Sequence, residues 1–109
     1  MKVVITQGVK QYLNNLIAIL YEKEYFGFED SAIKYIDELT NDIEINLPTR
    51  LHKQAPEHFD KYGKGMYYAT FRKNKQTTWY AFFTKYNDNG NTIYLVRYIA
   101  NNHTVAHHL

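Results

Sequence analysis

A chain of 109 residues has room for one hydrophobic core and not for two. Its 45% hydrophobic and 17% aromatic content is far from the composition of a disordered chain, and the absence of cysteine excludes a disulfide framework, a thiolate nucleophile and thiolate zinc sites. The net charge of +2 conceals a split: residues 1–46 carry four basic against eight acidic side chains, whereas residues 47–109 carry nine against three and all five His. Two explanations of the split stand side by side. The C-terminal half meets an anionic partner, either nucleic acid or an acidic protein segment, or a solvated basic face balances the acidic helices. No stretch approaches a membrane span, and Val3-Val4-Ile5 is too short for a signal-peptide core, so a cytoplasmic protein is expected.

Lys2 to Thr6 is short and β-branched and reads as a first or edge strand, with Thr6 placed to cap a helix. Val9, Tyr12, Leu13, Leu16, Ile17 and Leu20 then form one apolar stripe on a 3.6-residue period. Glu22 to Asp30, with Gly27 among Tyr25, Phe26 and Phe28, reads as an apolar-anchored connection. Asp30 or Ser31 can cap a second helix, whose stripe of Ala32, Ile36, Leu39 and Ile43 ends before Pro48. Two helices with one apolar stripe each need a sheet to cover.

Pro48 to Gly65 breaks the pattern and is rich in Lys, Arg and His. It reads either as a functional basic loop or as a tether pinned by Leu51, Phe59 and Tyr62. Beyond Gly65 the period becomes two. Met66–Arg72, Thr77–Tyr86 and Thr92–Ala100 read as three strands of a meander, joined by turns at 73–76 and 87–91. The tail from Asn101 is compatible with a short strand, a helical turn or a flexible end. The expected fold is therefore α+β, with a short N-terminal strand and a two-helix hairpin packed on an antiparallel meander sheet.

Strand parity assigns faces. Tyr67, Ala69, Phe71, Trp79, Ala81 and Phe83 belong against the helices. Tyr68, Thr70, Arg72, Thr78 and Tyr80 then line an open side, where rings and cations can stack on bases and grip phosphates. Arg97 is the one charge in the apolar run Ile93–Ile99 and must reach solvent, a carboxylate or an anionic ligand. His103 and His107 are four residues apart, with His108 adjacent, yet no carboxylate or thiolate is close in sequence. No metal site is assigned, and proton transfer at His103 is the chemistry that imidazole suits.

The order of strand, helical hairpin, basic loop and meander, together with the run Lys64-Gly65-Met66-Tyr67-Tyr68-Ala69-Thr70-Phe71-Arg72-Lys73-Asn74-Lys75 leading into Thr78-Trp79-Tyr80-Ala81-Phe82-Phe83, resembles the RelE/ParE toxin superfamily of bacterial type II toxin-antitoxin systems. The resemblance implies one of two activities. RelE-like toxins cut mRNA on the ribosome without metal, and ParE-like toxins inhibit DNA gyrase; both are held inactive by an antitoxin. On the first activity it implies Arg72, Arg97 and His103 as catalytic residues and Lys64, Tyr68, Lys73, Lys75, Tyr80 and His108 as RNA contacts, with no metal and no cofactor. The second meander strand opens on Thr77-Thr78 where RelE-like toxins carry a cation, which keeps the gyrase alternative open, along with a nucleic-acid-binding module unrelated to toxins. Implied partners are a cognate antitoxin and either mRNA with the ribosome or gyrase; no membrane is involved.

Overall fold

The computed structural model describes residues 1–22, 29–105 and 108–109. In chain order the elements are β1 (Lys2–Ile5), α1 (Gln7–Glu22), α2 (Glu29–Asn46), β2 (Lys53–Gln54), β3 (Tyr67–Arg72), β4 (Thr78–Asp88), β5 (Asn91–Asn101) and α3 (Asn102–Val105). Two 3-10 segments, Leu47–Thr49 and Glu57–Tyr62, flank β2.

Thr6 caps α1 as expected, its hydroxyl accepting the Val9 N–H at 3.4 Å and its carbonyl the Lys10 N–H at 3.0 Å. The second helix starts earlier than expected. It already includes Glu29, so Asp30 and Ser31 occupy its first turn rather than its cap, where the Asp30 carboxylate suits the positive end of the helix dipole. The expected connection built on Tyr25, Phe26, Gly27 and Phe28 lies outside the described residues.

The five strands form one sheet in the order β1-β5-β4-β3-β2. β1 is an edge strand and runs parallel to β5, Val3 opposite Tyr94 and Ile5 opposite Val96, while the remaining pairs are antiparallel. The sheet is therefore mixed and not a pure antiparallel meander. β2 was not expected; it turns part of the basic loop into a strand that sets Lys53 opposite Tyr68. The β4–β5 turn is also tighter than expected. Asn89 and Gly90 both adopt positive φ, 51° and 88°, which lets a two-residue turn close the hairpin and draws Asn87, Asp88 and Asn91 into the strands.

Both helices cover one face, called here the inner face. Val9, Leu13 and Leu16 of α1 and Ile36, Leu39 and Ile43 of α2 pack on Ala69, Phe71, Trp79, Ala81, Phe83, Val96 and Ile99. Leu39 and Ile43 are wholly buried, and such side chains stabilise a fold by about 1.5–3 kcal/mol each. Trp79 buries its ring there and donates its indole N–H to the Tyr35 hydroxyl at 2.9 Å. The face assignments expected for β3 and β4 therefore hold for Ala69, Phe71, Trp79, Ala81 and Phe83.

The opposite, outer face is not open as expected. Phe82 is fully buried there, in a second cluster with Phe59, Met66, Ala100 and Val105, bordered by Tyr62, Tyr68, Tyr80 and Tyr98. The 3-10 segment Glu57–Tyr62 and α3 supply the cover. Phe59 stacks on Phe82 with centroids 4.5 Å apart, and Tyr62 lies flat on Tyr98 at 3.8 Å. Phe59 and Tyr62 thus pin the basic loop, whereas Leu51 remains 93% exposed.

Candidate nucleic-acid interface

Residues paired across antiparallel strands share a face, so the register maps the outer side row by row. One row is Lys53, Tyr68, Phe82 and Tyr98; the next is Thr70, Tyr80 and Ala100; the last pairs Arg72 with Thr78. The segment Glu57–Tyr62 crosses the Phe82 row and divides what remains of the face into two exposed areas.

The first area holds a groove of about 440 Å³ lined by Leu51, Lys53, Tyr68, Ala69, Thr70, Tyr80 and Leu109. Its two aromatic walls, Tyr68 and Tyr80, lie 5.9 Å apart at an interplanar angle of 50° and stay half-buried. Arg72 follows at the end of β3, exposed, with its Nε–H donating to the Asn74 carbonyl at 3.1 Å. His103 belongs to the same end of the sheet. Asn102 fixes it there: its side-chain oxygen accepts the Thr78 N–H at 3.0 Å and its amide donates to the Gln76 carbonyl at 3.1 Å. Asn101 Oδ1 then accepts the His103 N–H at 3.0 Å and opens the helical turn. Of the three outcomes open for the tail, a turn of helix is the one adopted by residues 102–105.

The second area surrounds Arg97. The register between β4 and β5 slips at this point: Phe82 faces Tyr98 but Phe83 faces Val96, which leaves Arg97 as the extra residue of a β-bulge. The bulge resolves the apparent conflict of a charge in an apolar strand. It turns Arg97 outward beside Tyr98 and keeps Val96 and Ile99 in the core. Arg97 Nε donates to the Tyr62 carbonyl at 3.0 Å and the side chain is exposed, so of the three expected outlets it takes solvent and backbone rather than a carboxylate. Gly63 makes room for it, since a Cβ there would lie 2.9 Å from Arg97 Nε. The Tyr86 phenol, exposed on the same side, has its pKa held below the ordinary tyrosine value. Thr84 is the largest influence, although its own buried hydroxyl oxygen closes no hydrogen bond of ordinary geometry among the described residues; burial opposes the lowering, and the Arg97 charge adds to it.

Arg72 and His103 are therefore brought to one end of the outer face, but Arg97 is not with them. It stands four residues before Asn101, roughly 13 Å along the strand at about 3.3 Å per residue. The six expected RNA contacts are also spread unevenly. Tyr68 and Tyr80 line the groove, and Lys64 and Lys75 are exposed in loops. Lys73 turns the other way: its ammonium lies 3.8 Å from Glu38 and 5.0 Å above the Tyr35 ring, on the helix side. His108 stacks on His58 with centroids 3.6 Å apart, anchoring the chain near the groove. His107 lies outside the described residues, and among the described residues no three metal-ligating side chains gather.

Two of the residues that matter here escape a reading of the sequence. Lys53 reaches the groove through a two-residue strand too short for any periodic signal. Tyr86 had a signal, since as the last residue of the expected strand it continues the even-numbered outer parity of Tyr80, Phe82 and Thr84. Comparison with family models, with curated proteins and with solved structures finds no match to this chain.

Proposed function

We propose that the chain is a toxin of the RelE/ParE type that acts on RNA, most directly as a metal-independent mRNA endoribonuclease working with the ribosome and neutralised by a cognate antitoxin. The observation that supports this reading is the groove of the outer face. Two tyrosine rings and Lys53 line one concave site, and the strand that carries Tyr68 ends on Arg72 with His103 at the same end of the sheet. A single-stranded base stacks on an aromatic wall whatever its identity, and each such stack is worth about 1–3 kcal/mol. Transesterification by a ribose 2′-OH needs a group that moves a proton and a cation that meets the charge building on phosphorus. His103 and Arg72 are the side chains of this area with those capacities.

The separation of Arg97 from that pair favours one second reading, in which the chain blocks gyrase without cutting RNA. Both readings predict growth arrest on expression, so the assay reads message integrity and supercoiling together. The first predicts cut message in a translating extract and a gyrase that still supercoils. Intact message with supercoiling lost assigns the chain to the second.

A further inference from the structure

We infer that Arg97 and Tyr86 form a separate phosphate-binding site on the outer face, which holds a phosphodiester of the RNA strand away from the Arg72 and His103 edge. The inference rests on the RNA reading for the identity of the ligand, though not for the existence of the site.

Four features of the chain converge on it. The β-bulge in β5 exists at the one residue whose side chain would otherwise enter the core, and it delivers a guanidinium to the surface. The Tyr62 carbonyl takes only Nε of that guanidinium, at 3.0 Å, so the terminal nitrogens remain on the side of Tyr86. Gly63, at φ 154°, leaves space for the Arg97 side chain that any other residue would fill. Tyr86 adds a hydroxyl that donates to an oxyanion while protonated, and Lys64 follows Gly63 directly in the chain. A fixed guanidinium with a phenol beside it matches an oxyanion of tetrahedral shape, for which Arg is well suited by its planar fork. With Arg97 roughly 13 Å along β5 from the edge that carries His103, the site grips a phosphate remote from any reaction there.

The groups around Tyr86 also dictate how binding responds to pH. Arg97 and Thr84 face the phenol, the Tyr62 carbonyl accepts from Arg97 Nε while the Tyr62 ring stacks on Tyr98, and the Lys61 ammonium lies 5.5 Å above the Tyr62 ring. Among these Tyr98 is pushed up to about 12, chiefly by burial and then by Tyr62, and stays neutral well into the alkaline range. Tyr86 is shifted the opposite way, so it is the first of the two to ionise as pH rises; its phenolate then repels the phosphate and competes for Arg97.

The test uses the full chain with two probes: inorganic phosphate, and a 2′-O-methyl RNA hexamer that cannot be cut. NMR would follow Arg97 Nε and Tyr86 Cζ, and fluorescence anisotropy the hexamer. Phosphate should shift both signals. Arg97→Gln should weaken hexamer binding about tenfold or more, as loss of a charge-assisted hydrogen bond does, and Tyr86→Phe severalfold at neutral pH. The wild type should lose affinity as pH rises through the Tyr86 titration, while Tyr86→Phe should not. Gly63→Ala, checked for folding by its amide spectrum, should weaken binding by displacing Arg97. If phosphate moves both signals but the hexamer does not bind, the site stands and the RNA reading fails. A hexamer that binds with Arg97 and Tyr86 unmoved, or phosphate that leaves both unmoved, overturns the site.

Discussion

At the scale of single residues, the polar side chains fall into groups that do different work. Arg50 and Lys73 are drawn to α2 carboxylates, Arg50 to Asp42 at 3.4 Å and Lys73 to Glu38 at 3.8 Å. Single ion pairs at the surface contribute at most about 1 kcal/mol, so these two explain where two cations go better than what holds the fold together. Asn102 does more for the site. With two hydrogen bonds that tether α3 to the β3–β4 turn, Asn102→Ala should cost about 1–3 kcal/mol in chemical denaturation and loosen the His103 amide in hydrogen exchange. Unchanged stability and exchange would show that α3 holds itself in place. Tyr98 gives a prediction in pH. Its folded pKa, raised to about 12 first by burial and then by Tyr62, exceeds the unfolded value near 10, so the unfolded chain releases its proton first. The stabilisation is complete below about pH 10 and is lost as pH rises toward 12; Tyr12, raised by burial, acts in the same direction. Tyr98→Phe should flatten that alkaline loss, read as denaturation midpoint against pH.

At the scale of elements, the inner face was legible in the sequence and much of the outer face was not. The stripes of α1 and α2 and the alternation of Ala69, Phe71, Trp79, Ala81 and Phe83 identify the main core because each repeats with the period of its element. Phe82 has the opposite parity and reads as solvent-facing until Phe59 is known to cover it; Phe59 and Tyr62 mark the loop as a tether, but their sequence positions do not say which strand residue they cover. The bulge at Arg97 is equally silent, since an extra residue in one strand is visible only once both strands are paired. Phe82→Ala should therefore cost about 3–5 kcal/mol, the range of a core phenylalanine, and not the small change of a surface position. A loss under 1 kcal/mol would mean that the second cluster adds little. The Asn89-Gly90 turn carries a smaller prediction. At φ 88°, Gly90→Ala should destabilise by about 1–2 kcal/mol by equilibrium unfolding, because a Cβ disfavours the left-handed region.

At the scale of the whole molecule, the charge asymmetry of the sequence acquires a geometry. The acidic helices lie on one face of the sheet, and Arg72, Arg97 and Lys53 reach the other. An interface of that sign should release counterions when it takes up RNA, so log K should fall with log salt at about 0.7 per phosphate neutralised. Among the described residues no helix is long and apolar enough to cross a membrane. The candidate site was legible by residue type and not by grouping: Arg72, Arg97 and His103 all reach the surface, but their sequence positions do not reveal that one of them stands apart. The account turns on the end of the sheet that carries Arg72 and His103, and 5′-end mapping of message in a translating extract tests it most directly. Wild-type protein should generate new ends, and Arg72→Ala with His103→Ala should reduce them by at least about a hundredfold while the fold is kept. Ends that persist unchanged in the folded double variant, or that never form with the wild type, would contradict it.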